Sequence, residues 1–131
     1  MSSVHSVVKG FFVIIAVVSE MIFKEAVEKA AEAEGVDCLI LADEDPVLAA
    51  LQEGTPDVLF IDIGSMILDG PGLVQKIKQN PSTRNIPVVA FGNSLRADLM
   101  QDAKEMGADL VLAKSAFQQQ LPELIRHFGR P

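Results

Sequence analysis

Asp62 closes the apolar run Val58-Leu59-Phe60-Ile61, and a second acid, Asp69, follows with Gly70 behind it. A carboxylate in such a place does one of two things. It ends a buried strand and forms the turn, or it stands at the mouth of a sheet as a nucleophile. Three more groups bear on the choice. Ser19 and Glu20 follow the apolar run Phe11–Val18, and Lys114 follows the run Leu110–Ala113. Asp69-Gly70 is chiefly a turn before a helix, and no chemistry is assigned to it. His5 and His127 lie far from other ligand types and suggest no metal site.

Whether these groups meet depends on the elements that carry them. Apolar runs alternate with helical patterns along the whole chain. Strands are expected at Phe11–Val18, Asp37–Ala42, Asp57–Asp62, Ile86–Gly92 and Ala108–Lys114. Between them lie helix formers. The first helix starts at Glu20, places Ile22, Ala26, Ala30 and Ala33 at helical spacing, and stops at Gly35. The second is expected to start with Asp45 as N-cap and Pro46 at its first position, and to end at Gly54. The third takes Pro71 in its first turn. The fourth starts at Ser94 and stops at Gly107. The fifth, from Phe117 to Gly129, closes the chain, with Pro122 near the start of its regular part; Phe117 is a candidate for an exposed contact. Met66, Met100 and Met106 are expected to be packing residues.

Five strands alternating with helices imply an α/β fold, a parallel sheet covered by helices on both faces. Two windings are common. In the flavodoxin-like order 2-1-3-4-5, ligands sit where strands one and three diverge, at their carboxyl ends. That winding puts Ser19 and Glu20 beside Asp62, with Lys114 reaching over the same rim. No linker or second domain is visible. Residues 1–10 are a lead-in or an extension of strand one, and 11–131 form a single domain.

Composition narrows the function classes. The 131-residue chain is 49% hydrophobic and 22% charged, which fits a folded domain able to bury a core without disulfides. Cys38 is the single cysteine and is expected to be a small buried residue. A net charge of −7 disfavours nucleic acid and anionic membrane as partners. The run Phe11–Val18 is far short of a membrane span. With Lys9 before it, the run resembles a signal-peptide core, but no small-x-small cleavage site follows and a helical pattern begins at once. A buried parallel strand explains it better. Cytoplasmic location is the expectation.

Together, Asp62, the Asp69-Gly70 pair, "IPVV" opening strand four and "GADLVLAK" ending in Lys114 resemble the receiver domain of two-component response regulators, over about Phe11 to Phe128. The resemblance implies that Asp62 accepts a phosphoryl group from a phosphohistidine. It implies Mg²⁺ held by Asp62, by Glu20 with Ser19 at the acidic-pair position, and by the Gly64 carbonyl. Lys114 and the end of strand four, Gly92 with Asn93, would bind phosphoryl oxygens. Implied partners are a histidine kinase or phosphotransfer protein, a downstream signalling protein, and a second copy through the face of helix four, strand five and helix five, which would include Arg96, Lys104, Asp109 and Phe117.

The departures from the pattern are specific. One acid of the pair is Ser19. The strand-four hydroxyl position is Gly92. Val111 stands at the switching aromatic, Ser115 follows the lysine, and Ser65-Met66 replaces the usual Met-Pro. Losing a hydroxyl removes a hydrogen bond to a charged oxygen, worth roughly 1.5–3 kcal/mol, and a phosphate without a differential contact to two states shifts no equilibrium. Two functions follow. One is a stand-alone receiver whose output is protein binding, at most a self-phosphorylating acceptor and not a conventional enzyme. The other is a phosphorylation-independent docking or dimerisation module. Flavin and nucleotide binding are not expected. "SEMIF" offers one serine where a flavin phosphate loop needs several, no Gly-x-Gly-x-x-Gly follows a strand, and the Asp pair of a haloacid-dehalogenase-type phosphatase is absent.

Overall fold

Each apolar run becomes a parallel strand and each helical pattern a crossover. In this computed structural model, which describes residues 13–128, the order is β1 (Ile14–Val17), α1 (Met21–Glu34), β2 (Cys38–Leu41), α2 (Glu44–Glu53), β3 (Val58–Asp62), α3 (Gly70–Gln79), β4 (Val88–Gly92), α4 (Ala97–Glu105), β5 (Leu110–Ala113) and α5 (Lys114–Phe128). The expected residues Phe11 and Phe12 of the first strand, and the whole 1–10 lead-in, lie outside the described residues. The sheet runs β2-β1-β3-β4-β5, the flavodoxin-like winding. Every neighbouring pair is parallel, and the register sets Val17 against Ile61, Asp62 against Phe91, and Gly92 against Ala113.

Successive side chains of a strand point to opposite faces, so the sheet carries two cores. Ile14, Ala16, Phe60, Val89 and Phe91 face α1 and α5, meeting Phe23, Val27, Phe117 and Leu121. Ile15, Val17, Leu59, Ile61, Val88 and Ala90 face α2, α3 and α4. The central strands β1, β3 and β4 are buried throughout, while the edge strands β2 and β5 are half-buried. Cys38 sits on β2. Burial, with the acids Glu28 and Asp37 nearby, pushes its thiol up to about 11, so it behaves as an inert apolar residue at neutral pH.

Several local expectations shift. The buried stripe of α1 is Phe23, Val27 and Ala31, one position on from the expected row; Ile22 is exposed. Phenylalanine and valine remove more apolar area from water than alanines do, so they set the helix rotation. Helix α2 starts earlier than expected, with Asp43 at the N-cap and Pro46 inside the first turn. Ahead of α4, Asn93 accepts the Leu95 N–H at 2.8 Å on its side chain and the Arg96 N–H at 2.8 Å on its carbonyl. That turn delays the helix from Ser94 to Ala97. Met100 and Met106 pack against the second core as expected, but Met66 is 99% exposed.

The largest shift is in α5, which begins at Lys114, directly after β5, and runs through Pro122. Phe117, Leu121, Leu124 and Ile125 fall on one face and are buried. Their burial outweighs the cost of a proline whose missing N–H would have met Gln118, an exposed residue whose carbonyl water can serve. Pro122→Ala is therefore expected to raise stability by roughly 2 kcal/mol in urea unfolding, the helix-propensity gain less the lost stiffness of the unfolded chain. A lower stability would show that the proline ring itself packs.

Candidate functional site

The carboxyl ends of β1, β3, β4 and the start of α5 meet at one edge of the sheet. Asp62 is the last residue of β3 and is 2% exposed. Its Oδ1 accepts the backbone N–H of Gly64 at 2.9 Å, a contact that folds the chain back as the strand ends. Burial raises its carboxyl above the ordinary aspartate value of 3.8, the Gly64 N–H and the Lys114 ammonium pull it down, and Glu20 pushes it up again. Asp62, Glu20 and Lys114 therefore share one electrostatic neighbourhood, as the winding requires.

Lys114 and Glu20 face each other directly. The Lys114 ammonium lies 3.4 Å from both Glu20 oxygens and 5.5 Å from the centre of the Phe23 ring. Glu20 occupies the N-cap position of α1 but makes no capping hydrogen bond with its side chain; the carboxylate turns to the lysine instead. Ser19 is exposed beside it. At the end of β3 the loop is held by a chain of side-chain contacts. The Ser65 hydroxyl accepts the Ile67 N–H at 3.0 Å, and Asp69 accepts the Gly72 N–H at 3.1 Å. Asp69 is thus the N-cap of α3, a structural role as expected.

Beside Asp62 opens a cleft of about 260 Å³ lined by Ile63, Gly64, Gly92, Asn93, Arg96, Leu99, Met100 and Lys114. All of the expected phosphoryl-binding positions border it. Its lining cations, Arg96 and Lys114, are each paired with an acid beside the cleft, Asp98 and Glu20, so an anion entering it would compete with those carboxylates. The Asn93 carbonyl oxygen is occupied by the turn, leaving its amide as the donor. Gly92 is buried and contributes backbone only. Ile63, like Leu99, is a lining residue that sequence reasoning passed over. It looked like one more apolar residue after the strand, and nothing in the pattern places it against Gly92.

Among the described residues no group of three or more His, Cys, Asp or Glu side chains stands together. A divalent cation here would have Asp62, Glu20, the Gly64 carbonyl and the Ser19 hydroxyl to call on. That set fits magnesium in its sparse mode of one or two carboxylates with retained water, and the mutual repulsion of Asp62 and Glu20 is what a cation would relieve. The expected docking face loses Phe117, and its Asp109 is exposed but tied down. Phe117 is fully buried, and Asp109 turns to the far edge of the sheet, where it binds Lys78 and the Val88 N–H, each at 2.8 Å. Arg96 is exposed and paired with Asp98; Lys104 is exposed.

Comparison with known proteins points one way. The response regulator receiver domain family matches residues 14–126. Over 81 residues, 62% of this chain, it is 35% identical to the DNA-binding transcriptional regulator NtrC of Salmonella typhimurium, a match spanning 17% of that protein. Among solved structures, a putative response regulator from Chloroflexus aurantiacus superposes with a TM-score of 0.79 at 21% identity, covering 90% of this chain and 97% of that one. The chemotaxis response regulator CheY4 of Vibrio cholerae gives 0.75 at 19%, covering 88% and 96%. The receiver domain of a sensor histidine kinase from Pseudomonas aeruginosa, with magnesium coordinated in its active-site cleft, gives 0.76 at 17%, covering 88% and 95%. Since the family match runs from the first residue of β1 into the last turns of α5, the chain belongs to the response regulator receiver domain family.

Proposed function

We propose that this chain is a signalling module that takes a phosphoryl group on Asp62 and acts by binding another protein. The observation that carries the reading is the meeting of Asp62, Glu20 and Lys114 beside a cleft lined by Gly92, Asn93 and Lys114. In the transfer, an oxygen of Asp62 forms a bond to phosphorus as the donor's phosphorus–nitrogen bond breaks and the donor imidazole keeps that electron pair. Oδ1 is tied to Gly64, so Oδ2 is the attacking atom. Lys114 offsets the charge that accumulates on the phosphoryl oxygens, the main service a protein renders in this reaction. Mg²⁺, when bound, would supply the rest of that compensation.

The neighbouring surface supports a protein partner. Met21, Ile22, Met66, Ile67 and Leu95 are the exposed large apolar side chains among the described residues. All five stand on segments that follow β1, β3 or β4, around the cleft. Apolar groups gathered on one rim favour a docking partner, and a histidine kinase or phosphotransfer protein suits an acceptor at its centre. Incubation with acetyl phosphate and Mg²⁺ should add one phosphoryl group by intact mass, and Asp62→Asn should abolish it. No adduct under conditions that modify an ordinary receiver would sink the acceptor role.

A second reading, docking independent of phosphorylation, is favoured by Gly92, which offers no side chain where a phosphoryl signal would enter β4. Under that reading Asp62→Asn keeps full partner binding.

A further inference from the structure

The turn before α4 does more than delay the helix; it sets where Arg96 stands. Asn93 binds the Leu95 N–H with its side chain and the Arg96 N–H with its carbonyl, so the chain has already turned when it reaches Arg96. Arg96 takes the N-cap position of α4 and makes no capping hydrogen bond with its side chain. It borders the same cleft as Gly64, Gly92 and Lys114. Its guanidinium is engaged by Asp98, in the first turn of α4, through two parallel bonds. Nε donates to Oδ1 at 3.1 Å and Nη2 donates to Oδ2 at 3.0 Å. Such a two-point fork is also the way a guanidinium grips phosphate.

The pair holds Arg96 only loosely. The two side chains are 56% and 66% exposed, and an ion pair so open to water contributes little. A phosphoryl group carries about 1.5 to 2 negative charges and three acceptor oxygens, against the single charge of Asp98. Gly92, on the wall of the cleft, offers those oxygens no side chain. We infer that Arg96 is a further phosphoryl-binding residue, which leaves Asp98 for the phosphoryl oxygens carried by Asp62. The inference rests on reading Asp62 as the acceptor, and it deepens that reading. Asp98 holds the guanidinium in the unmodified protein and competes for it in the modified one. The exchange gives the phosphoryl group a contact made in one state only, which is what shifting an equilibrium requires. It places that contact at the start of α4 rather than on β4.

The test follows phosphoryl uptake from acetyl phosphate and Mg²⁺ by intact mass in the unaltered chain, Arg96→Ala, Arg96→Lys, Asp98→Asn and the Arg96→Ala/Asp98→Asn double variant. Arg96→Ala should slow uptake about fivefold, and Arg96→Lys should recover part of that loss through charge alone. Asp98→Asn should quicken uptake about twofold by freeing the guanidinium. In the double variant that gain should vanish, because no guanidinium remains to free. Unchanged uptake in Arg96→Ala overturns the inference. So does an Asp98→Asn loss equal to that of Arg96→Ala, since the pair would then serve the fold and not the anion. If no chain is modified, the acceptor reading falls, and melting in inorganic phosphate decides whether Arg96 takes an anion. Against chloride at equal ionic strength, phosphate should raise Tm by about 2 °C in the unaltered chain, by more in Asp98→Asn, and by less than about 0.5 °C in Arg96→Ala. Equal rises in all three overturn it.

Discussion

Replacing Phe117 with alanine is expected to cost about 3–5 kcal/mol of unfolding free energy, enough to take a large share of the stability of a domain this size. The ring is fully buried. It stacks on Phe91 with centres 3.9 Å apart and planes 4° from parallel, and it meets Phe60 edge-on at 5.2 Å and 79°. Phe23 joins the cluster 5.2 Å from Phe91. Aromatic pairs add about 0.5–1.5 kcal/mol beyond the area they bury, so truncation removes both packing and ring contacts. Phe91 directly precedes Gly92, and Phe23 carries the Lys114 ammonium on its face, so the cavity opens beneath the site. Urea unfolding of Phe117→Ala measures the loss. A change within about 0.5 kcal/mol is what an exposed phenylalanine would give, and it would mean that α5 does not begin at Lys114.

The second large effect belongs to Asp62 and depends on pH. Its folded carboxyl titrates above the ordinary value of 3.8, chiefly because it is buried. The native state therefore keeps this proton to a higher pH than the unfolded chain does. Stability from this group is fully present below the unfolded value and is lost as pH rises through the folded one. At neutral pH the ionised carboxylate opposes folding. Asp62→Asn keeps the oxygen that accepts the Gly64 N–H and discards the buried charge, so it should stabilise the fold at pH 7 by about 1–3 kcal/mol, the scale of a polar group's desolvation in a protein. The advantage should fade as pH falls toward 3.8. Paired urea titrations of both proteins across that range check it. Equal stability at pH 7 would show that Lys114 and the Gly64 amide already compensate the charge in full. On the proposed acceptor reading the same substitution should also abolish phosphoryl uptake, so one variant tests the acceptor chemistry and its energetic cost together.

Much of this molecule was legible from patterns with a clear physical cause. Continuous apolar runs such as Val58–Ile61 mark strands buried on both faces, and their alternation with helix formers implies a parallel sheet. Because parallel strands end at the same edge, the groups that follow them, Glu20, Asp62 and Lys114, were bound to gather once the winding was 2-1-3-4-5. Where pattern misled, a contact distant in sequence had won. The proline rule argued for a late start to α5, but burial of Phe117 and Leu121 against the sheet outweighed it. Alanine spacing suggested one face of α1, and the larger area of Phe23 and Val27 selected another. Asp109 is exposed, and it also binds Lys78 and the first N–H of β4, contacts that no linear pattern announces.

The sequence by itself determined the strand and helix order, the acid that ends β3 and the lysine that follows β5, since each depends on residue type and local period. Tertiary structure alone decided that Glu20 turns to Lys114 rather than capping its helix, that four phenylalanines join beneath the site, and that Ile63 packs beside Gly92. Those outcomes depend on distances between residues far apart along the chain, and a linear pattern carries no record of which side chain reaches a shared space first.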